Sequence, residues 1–181
     1  MLLSLFLAMI AYSSGNTNAY AQSFYGGGGG RGEALDPSYA EEAEQMRNEA
    51  VQIYRDAAKQ SGDEALSQIA DALSSSQLLS GDVGTCYGGG KDLVCSAITY
   101  PMEAATYFCT EPTMPLLLHE AAHLIQSNGQ VEGAEVECEA DKHMIMAFYY
   151  GRGEVEHGLY DKIFRCPGNL EMERKFRSGG R

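Results

Sequence analysis

The chain has 181 residues, of which 44% are hydrophobic and 9% aromatic, which suits one domain with an apolar core and leaves little room for a second. Asp and Glu number 25 against 13 Lys and Arg, so the formal net charge is -12. A charge of this sign repels phosphate backbones and anionic lipid, and we therefore expect no nucleic-acid partner.

The first residues are typical of an export signal. An apolar run from Leu2 to Tyr12 is followed by a small-residue pattern, Ala-Tyr-Ala, that ends at Ala21, as a signal core is followed by its cleavage site. No Lys or Arg precedes the run, which departs from the usual signal, and the run is too short to span a bilayer. We predict a signal peptide over residues 1–21, a secreted or periplasmic location, and no integral membrane segment after cleavage.

The region after the signal is predicted to be a linker followed by one domain. Residues 22–35 contain the run GGGGGRG, which indicates a flexible linker. The domain covers residues 36–181, and its first part, residues 36–80, has apolar residues at every third or fourth position. This spacing predicts a pair of amphipathic helices, the first capped by Asp36 and ending near Ser61. We interpret the pair as scaffold, and the sequence leaves open whether it also acts as an inhibitory pro-segment.

The catalytic core is predicted over residues 81–165 and begins with strands. Between Val83 and Cys109 the β-branched and aromatic residues of LVCSAITYP and ATYFC predict two or three short strands, and Pro101 fits an edge position. Near the end of the core we expect one more short helix, from about Val155 to Phe164. Residues 166–181 are expected to be a tail, whose last segment, RKFRSGGR, is expected to be frayed and locally basic.

Five cysteines are compatible with an oxidising compartment, and the odd number leaves at least one unpaired or paired between chains. Cys86 and Cys95 flank YGGGKDLV, which predicts a hairpin closed by a short disulfide. A second bridge is expected among Cys109, Cys138 and Cys166, whose pairing the sequence cannot choose.

The segment PLLLHEAAHLIQSNG carries the strongest chemical signal and predicts a helix from about Thr113 to Ser127. His119 and His123 are four residues apart, so both imidazoles lie on one helix face and can share a metal ion. Glu120 lies about 100° around the helix, where its carboxylate can reach a water on the metal. The flanking residues are apolar, and burying three ionisable groups among them is costly unless a divalent cation offsets the cost.

A second helix, predicted from about Ala134 to Tyr150, offers a third ligand. Glu137 and Asp141 are four residues apart, so Glu137 can bind the metal while Asp141 accepts the outer N–H of one histidine. Cys138 points about 100° away from Glu137 and is expected in a disulfide, and His143 is expected to be structural. Other acidic residues remain alternative third ligands: Glu132, Glu135, Glu139 and Asp141.

The two motifs together, HEAAH and then ECEAD, resemble the gluzincin branch of the zinc metallopeptidases. The likeness is strongest to the group with a Glu-x-x-Ala-Asp helix, which includes membrane-linked CAAX-processing and stress-response proteases. It implies His119, His123 and Glu137 as zinc ligands, Glu120 as general base and Asp141 as a support for a ligand. The resemblance covers about residues 116–151, and the chain departs from the membrane-embedded members by lacking transmembrane helices and by a shorter gap between the motifs.

A fainter likeness connects the chain to deuterolysin-type aspzincins, in the YFC strand before LLLHEAAH and in EADKH. Their Gly-Thr-x-Asp-x-x-Tyr-Gly signature is absent from the sequence, which disfavours an aspartate as the third ligand.

We therefore predict an exported, zincin-like α+β metallopeptidase with an N-terminal helical pair, a small sheet, and an active-site helix followed by a second, antiparallel, Glu-bearing helix. One Zn²⁺ per chain is expected, and the substrate is a peptide or protein that lies along a strand near Ser96 to Tyr100. The alternatives are a catalytically inactive zincin-like domain that binds peptides or partners, which would not need Glu120, and a structural protein without metal. Four residues are candidates to stabilise the oxyanion: Tyr149, Tyr150, His157 and Tyr160.

Overall fold

A computed structural model describes residues 32–34, 37–87, 95–126, 133–153 and 166–178 of the chain. Several predictions fall on other residues: the signal peptide, most of the linker, the helix near Val155 to Phe164, the cap Asp36, and the candidates Glu132, His157 and Tyr160. The described residues form a mixed α+β structure that is mostly helical and contains a small sheet.

The helices are α1 (Pro37–Ser61), α2 (Glu64–Ser75), α3 (Val83–Tyr87), α4 (Met114–His123), α5 (Ala134–Met146) and α6 (Pro167–Arg177). The strands are β1 (Gly32–Ala34), β2 (Gln77–Gly81), β3 (Ala97–Tyr100) and β4 (Ala105–Phe108). A short 3-10 turn, Pro101–Glu103, joins β3 to β4, and a π-helical turn, Ala147–Arg152, extends α5.

Helices α1 and α2 are the N-terminal pair that the apolar spacing predicted. The chain reverses between them at Gly62, whose φ of 73° is accessible to glycine without strain. Asp63 then caps α2, because its side chain accepts a hydrogen bond from the Ala65 N–H at 2.9 Å. One face of α2 is buried, so the pair contributes apolar side chains to the core as a scaffold would.

The sheet has four strands in the order β1-β2-β4-β3. β2 runs parallel to β4, and both β1 and β3 are antiparallel to their neighbours. β2 was not predicted, and α3 lies where the strand region was expected to begin, because the Asp82 side chain accepts the Thr85 N–H at 2.7 Å and starts a helical turn. β1 comprises the last residues of the predicted linker, which pair with the outer edge of β2.

The predicted Cys86–Cys95 disulfide is wrong. Cys86 pairs with Cys109, with a Cα–Cα distance of 5.4 Å. The reason is the parallel pairing of β2 with β4, which brings the residues after both strands together, whereas Cys95 precedes β3 on the other side of β4. Cys138 pairs with Cys166, which is one of the pairings left open and confirms the disulfide expected for Cys138.

Helix α6, Pro167–Arg177, lies where a tail was expected and includes the first residues of the segment RKFRSGGR that was expected to fray. The Cys138–Cys166 disulfide holds the start of α6, and the Asn169 side-chain N–H donates to the Cys138 carbonyl at 2.9 Å. Farther along α6, the buried Phe176 ring stacks on Tyr149 with ring centroids 3.8 Å apart. These contacts compensate for the polar composition of the segment.

Helix α4 lies in the middle of the core and positions the HEAAH motif. It contacts α1, α2, α5 and β3. On the side of α1, the Tyr54 hydroxyl donates to the Leu118 carbonyl at 2.5 Å, and Tyr54 is fully buried. α1 also packs closely against the π-helical turn at Gly151. A side chain there would not fit, because its Cβ would collide with the Ile53 carbonyl. Among the described residues, no helix is long and apolar enough to cross a membrane.

Candidate metal centre

Helix α4 brings the two histidines of the HEAAH motif together. The helix is capped by Thr113, whose hydroxyl accepts the Leu116 N–H at 3.4 Å. His119 and Glu120 are buried, and the Nε2 atoms of His119 and His123 lie 3.2 Å apart. The pair is therefore in the arrangement that the four-residue spacing predicted.

Each imidazole is held from outside by an acceptor on its Nδ1 atom. His119 Nδ1 lies 2.8 Å from Asp141 Oδ1, and His123 Nδ1 lies 2.6 Å from Gln126 Oε1. The Gln126 amide is oriented by its other end, because its Nε2 donates to the Val136 carbonyl at 3.0 Å. Carboxylate and amide oxygens accept hydrogen bonds, so both Nδ1 atoms carry the proton in the neutral imidazoles. Both Nε2 atoms then present lone pairs towards each other.

Glu137 places its carboxylate beside the Nε2 atoms of the two histidines. Its Oε2 lies 3.1 Å from His119 Nε2, and its Oε1 lies 3.8 Å from His123 Nε2. The Glu137 side chain is 63% exposed, whereas those of His119 and His123 are 8% and 13% exposed. The prediction that α5 brings Glu137 to the two imidazoles and Asp141 to the outer nitrogen of one of them matches this arrangement.

The site requires a positive charge at its centre. Two imidazole lone pairs and a carboxylate converge there, and without a cation or a proton between them these groups repel one another. Burial opposes protonation of His119, but the hydrogen bonds to Asp141 and Glu137 and the charge of Glu120 outweigh it and raise the pKa of His119 to about 9. Without a metal ion, a proton on His119 therefore provides the positive charge between these groups.

These residues fit a divalent cation of the zinc type. His119, Glu120 and His123 each offer one ligand atom, and these atoms all lie within 4.8 Å of one another. Imidazole nitrogen and carboxylate oxygen are ligands that zinc accepts, and acceptors on the outer imidazole nitrogens are usual around such sites. The group His119, Glu120 and His123 could therefore hold a metal ion.

Glu120 is held by the sheet. The Thr99 hydroxyl donates to Glu120 Oε2 at 2.8 Å, and the Thr99 and Thr106 hydroxyl oxygens are 2.9 Å apart. Thr99 is on β3 and Thr106 is opposite it on β4. The strands therefore fix one oxygen of the carboxylate that the sequence proposed as general base.

The other described candidates for the third ligand either have other partners or, like Glu135, are exposed. Glu139 lies 2.8 Å from Lys142 Nζ and 3.5 Å from His143 Nε2, and Asp141 is engaged with the outer nitrogen of His119. His143 is buried, and that burial lowers its pKa. Tyr149 and Tyr150 line a separate cleft of about 750 Å³ with Ser61 and Lys175, away from the histidines.

Three residues near the site were missed from the sequence: Thr99, Gln126 and Cys95. Gln126 follows His123 by three residues on the helical spacing, which was a usable signal. Thr99 needed the packing of β3 against α4, which no local pattern gives. Cys95 keeps a free thiol, and burial together with the charges of Glu120 and Glu137 raises its pKa to about 11.

Comparisons of the chain with known protein families, with curated proteins and with solved structures found no match. The assignment of a function therefore depends on the geometry of the site.

Proposed function

We propose that the protein is a zinc metallopeptidase of the gluzincin type. Although Glu120 also lies within ligand distance of the two histidines, we assign the third ligand to Glu137, which contacts His119 Nε2, and we assign Glu120, which is held by Thr99, as the general base. His119, His123 and Glu137 then bind one Zn²⁺. The observation that carries the proposal is the pair of imidazoles whose outer nitrogens are both held by acceptors, so that their Nε2 lone pairs meet the Glu137 carboxylate at one point. A structural pair of buried histidines would not need to present both lone pairs to a carboxylate.

The number and type of ligands fit a catalytic zinc site. Catalytic zinc is commonly bound by three protein ligands that leave a coordination position for water or substrate, and His₂Glu is one of these sets. When bound, zinc lowers the pKa of a water and polarises a substrate carbonyl. A purely structural site would be closed by a fourth protein ligand.

The chain itself supplies the proton transfers and the positioning. Glu120 accepts a proton from the attacking water and donates it to the leaving amine, which is general base and then general acid catalysis. Asp141 and Gln126 hold the two imidazoles in the tautomer that leaves Nε2 free for a ligand bond. The carboxylate of Glu120 favours catalysis over the inactive binding domain, because binding alone would not need a base.

The sheet supports a peptide as the substrate. β3 lies at the end of the strand order, and among the described residues it pairs only with β4. The same strand packs against α4 and contacts Glu120 through Thr99. An extended peptide that added to this edge would gain main-chain hydrogen bonds and would run beside the base.

Export is supported by the two disulfides, which are consistent with an extracellular protein. A zincin-like fold is supported by the order of elements, with the edge strand, the HEAAH helix and then a Glu-bearing helix that contacts it.

The test compares wild type with Glu120→Gln. Wild type is expected to contain about one zinc per chain and to cleave unfolded protein substrates. Glu120→Gln is expected to keep its zinc and to lose cleavage by at least about 100-fold, because the amide cannot accept the proton. Glu111→Gln, an exposed acid shortly before α4, is the matched control and should behave as wild type. Wild-type cleavage by Glu120→Gln, or wild-type protein that binds no zinc, would contradict the proposal.

A further inference from the structure

Glu120 receives a hydrogen bond that originates in the sheet core. Thr106 is fully buried, and Glu120 is 6% exposed. The Thr99 hydroxyl lies between them, 2.9 Å from the Thr106 hydroxyl and 2.8 Å from Glu120 Oε2. Thr99 and Thr106 are directly opposite each other in the antiparallel pair β3–β4, so the backbone register holds both hydroxyls in place.

The direction of this chain of hydrogen bonds follows from the number of hydrogens. Each threonine hydroxyl has one hydrogen, and an ionised carboxylate can only accept. Since Thr99 gives its hydrogen to Glu120, Thr106 must donate to Thr99. The result is a directed relay from Thr106 through Thr99 to Glu120 Oε2, with Glu120 Oε1 outside it.

The hydrogen bond at the end of the relay restricts rotation of the Glu120 carboxylate about its terminal torsion. The terminal torsion of a glutamate side chain is broad and roughly two-fold, so packing of the aliphatic part does not fix the carboxylate plane. A hydrogen bond to one oxygen does fix it. Threonine suits this task on a strand, because its β-branched side chain has few χ1 rotamers and holds the hydroxyl direction.

We propose that Thr99 is a positioning residue for the general base. By binding Oε2 it fixes the carboxylate plane and makes Oε1 the oxygen that accepts and returns the proton. The catalytic part of this inference rests on the proposed peptidase function, whereas the placement of Glu120 by Thr99 does not. A misplacement of a reacting group by about 1 Å can lower the rate about 100-fold, so loss of the relay is expected to reduce kcat by about 10- to 100-fold.

The experiment uses the mature zinc-loaded protein and four variants. Thr99→Val removes the hydroxyl at nearly constant volume, and Thr99→Ser keeps it. Thr99→Ala is the second hydroxyl-free variant in case valine disturbs folding. Thr110→Val is the matched control, because Thr110 is exposed after β4 and its hydroxyl donates to the Ser96 carbonyl at 3.4 Å.

The kinetic result expected for Thr99→Val is a lower kcat with KM and zinc content within about two-fold of wild type. Thr99→Ser should recover kcat to within about five-fold, and Thr110→Val should match wild type. A general loosening of the fold would lower zinc content as well and would not be rescued by serine. An unchanged kcat in both hydroxyl-free variants, beside an active wild type, would overturn the catalytic role of Thr99.

High-resolution crystal structures of wild type and of both hydroxyl-free variants give a readout that does not depend on activity. The Glu120 carboxylate should keep one orientation in wild type and should be rotated or spread over two orientations without the hydroxyl. An unmoved carboxylate would overturn the inference even if the enzyme is active. If wild type hydrolyses no peptide but the carboxylate moves, Thr99 does position Glu120 and the proposed function is what fails.

Discussion

The two walls of the candidate metal centre differ in how their side chains are held. On the strand side, Glu120 is buried and is fixed by Thr99. On the side of α5, Glu137 is 63% exposed and lies in the first turn of a helix whose N-cap, Gly133, provides no side-chain cap. The proposed base is thus built into the core, whereas the proposed carboxylate ligand is presented from a helix end near solvent. The difference predicts that changes at the two walls will separate catalysis from metal binding.

The largest effect is expected from Glu137→Ala, which removes the exposed carboxylate on the α5 side of the site. Loss of one of the three proposed protein ligands should weaken zinc affinity by more than about 100-fold, because outer supports alone are worth about 10- to 100-fold. The folded structure should persist, since an exposed side chain contributes little to the core. Chelator competition would measure the affinity. Glu135→Ala, an exposed acid in the same turn, is the control and should bind zinc as wild type does.

Equal zinc affinity in Glu137→Ala and wild type would remove Glu137 from the ligand set. The α5 side of the site would then contribute no carboxylate ligand, while the proposed roles of Thr99 and Glu120 would be unaffected.

The pH dependence of zinc affinity and of stability tests His119, whose pKa is influenced by both Glu120 and Glu137. The pKa of His119 is raised to about 9, above its usual value near 6.5, so at pH 7 the metal-free site is protonated. Zinc needs the neutral imidazole and must displace this proton, so affinity should rise about tenfold per pH unit from 7 to 9. A group with a raised folded pKa stabilises the fold fully below its unfolded pKa. Stability of the metal-free protein should therefore fall as the pH rises from about 6.5 through 9.

Chelator titrations and thermal melts across this pH range would check both trends, which have opposite directions. Asp141→Asn is the informative variant, because removal of the charged hydrogen-bond partner lowers the pKa of His119. Its affinity curve should level off at a lower pH than that of wild type. A wild-type affinity that does not change between pH 7 and 9 would mean that His119 is neutral before zinc binds.

Much of the α4 histidine pair and of the α5 side of the site could be predicted from sequence, because local spacing determines them. Four-residue intervals predicted that His119 and His123 share a face and that Glu137 and Asp141 do so too, and the structure brings these side chains together. The helical pair was predictable for the same reason. Residue type and helical periodicity were sufficient for these features.

The strand wall could not be predicted in the same way, because it depends on contacts between distant segments. The relay needs the register of β3 with β4 and the packing of α4 across it, neither of which appears in a local pattern. β2 shows no alternation of buried and exposed residues, so its strand signal was weak, and without β2 the Cys86–Cys109 pairing could not be foreseen. The C-terminal helix was missed because the Cys138–Cys166 disulfide and Phe176 stabilise it from outside the segment.

The smallest predicted effect tests the support of α4 by α1. Tyr54 lies 64 residues before Leu118 and donates its buried hydroxyl to the Leu118 carbonyl at 2.5 Å, one residue before His119. Tyr54→Phe removes this bond at constant ring volume and should lower the free energy of unfolding by about 1 kcal/mol. That corresponds to a decrease of about 2–4 °C in Tm for a protein of this size.

Thermal and denaturant unfolding would measure this loss, with Tyr87→Phe, a partly exposed tyrosine on α3, as the control that should change by less than about 0.5 kcal/mol. Zinc affinity and kcat of Tyr54→Phe should stay within about two-fold of wild type, because Asp141, Gln126 and Thr99 still hold the site from their own elements. A loss of zinc in Tyr54→Phe would show that the position of α4 depends on α1 more than on the sheet. The N-terminal helical pair would then help to hold the metal site and would be more than a scaffold.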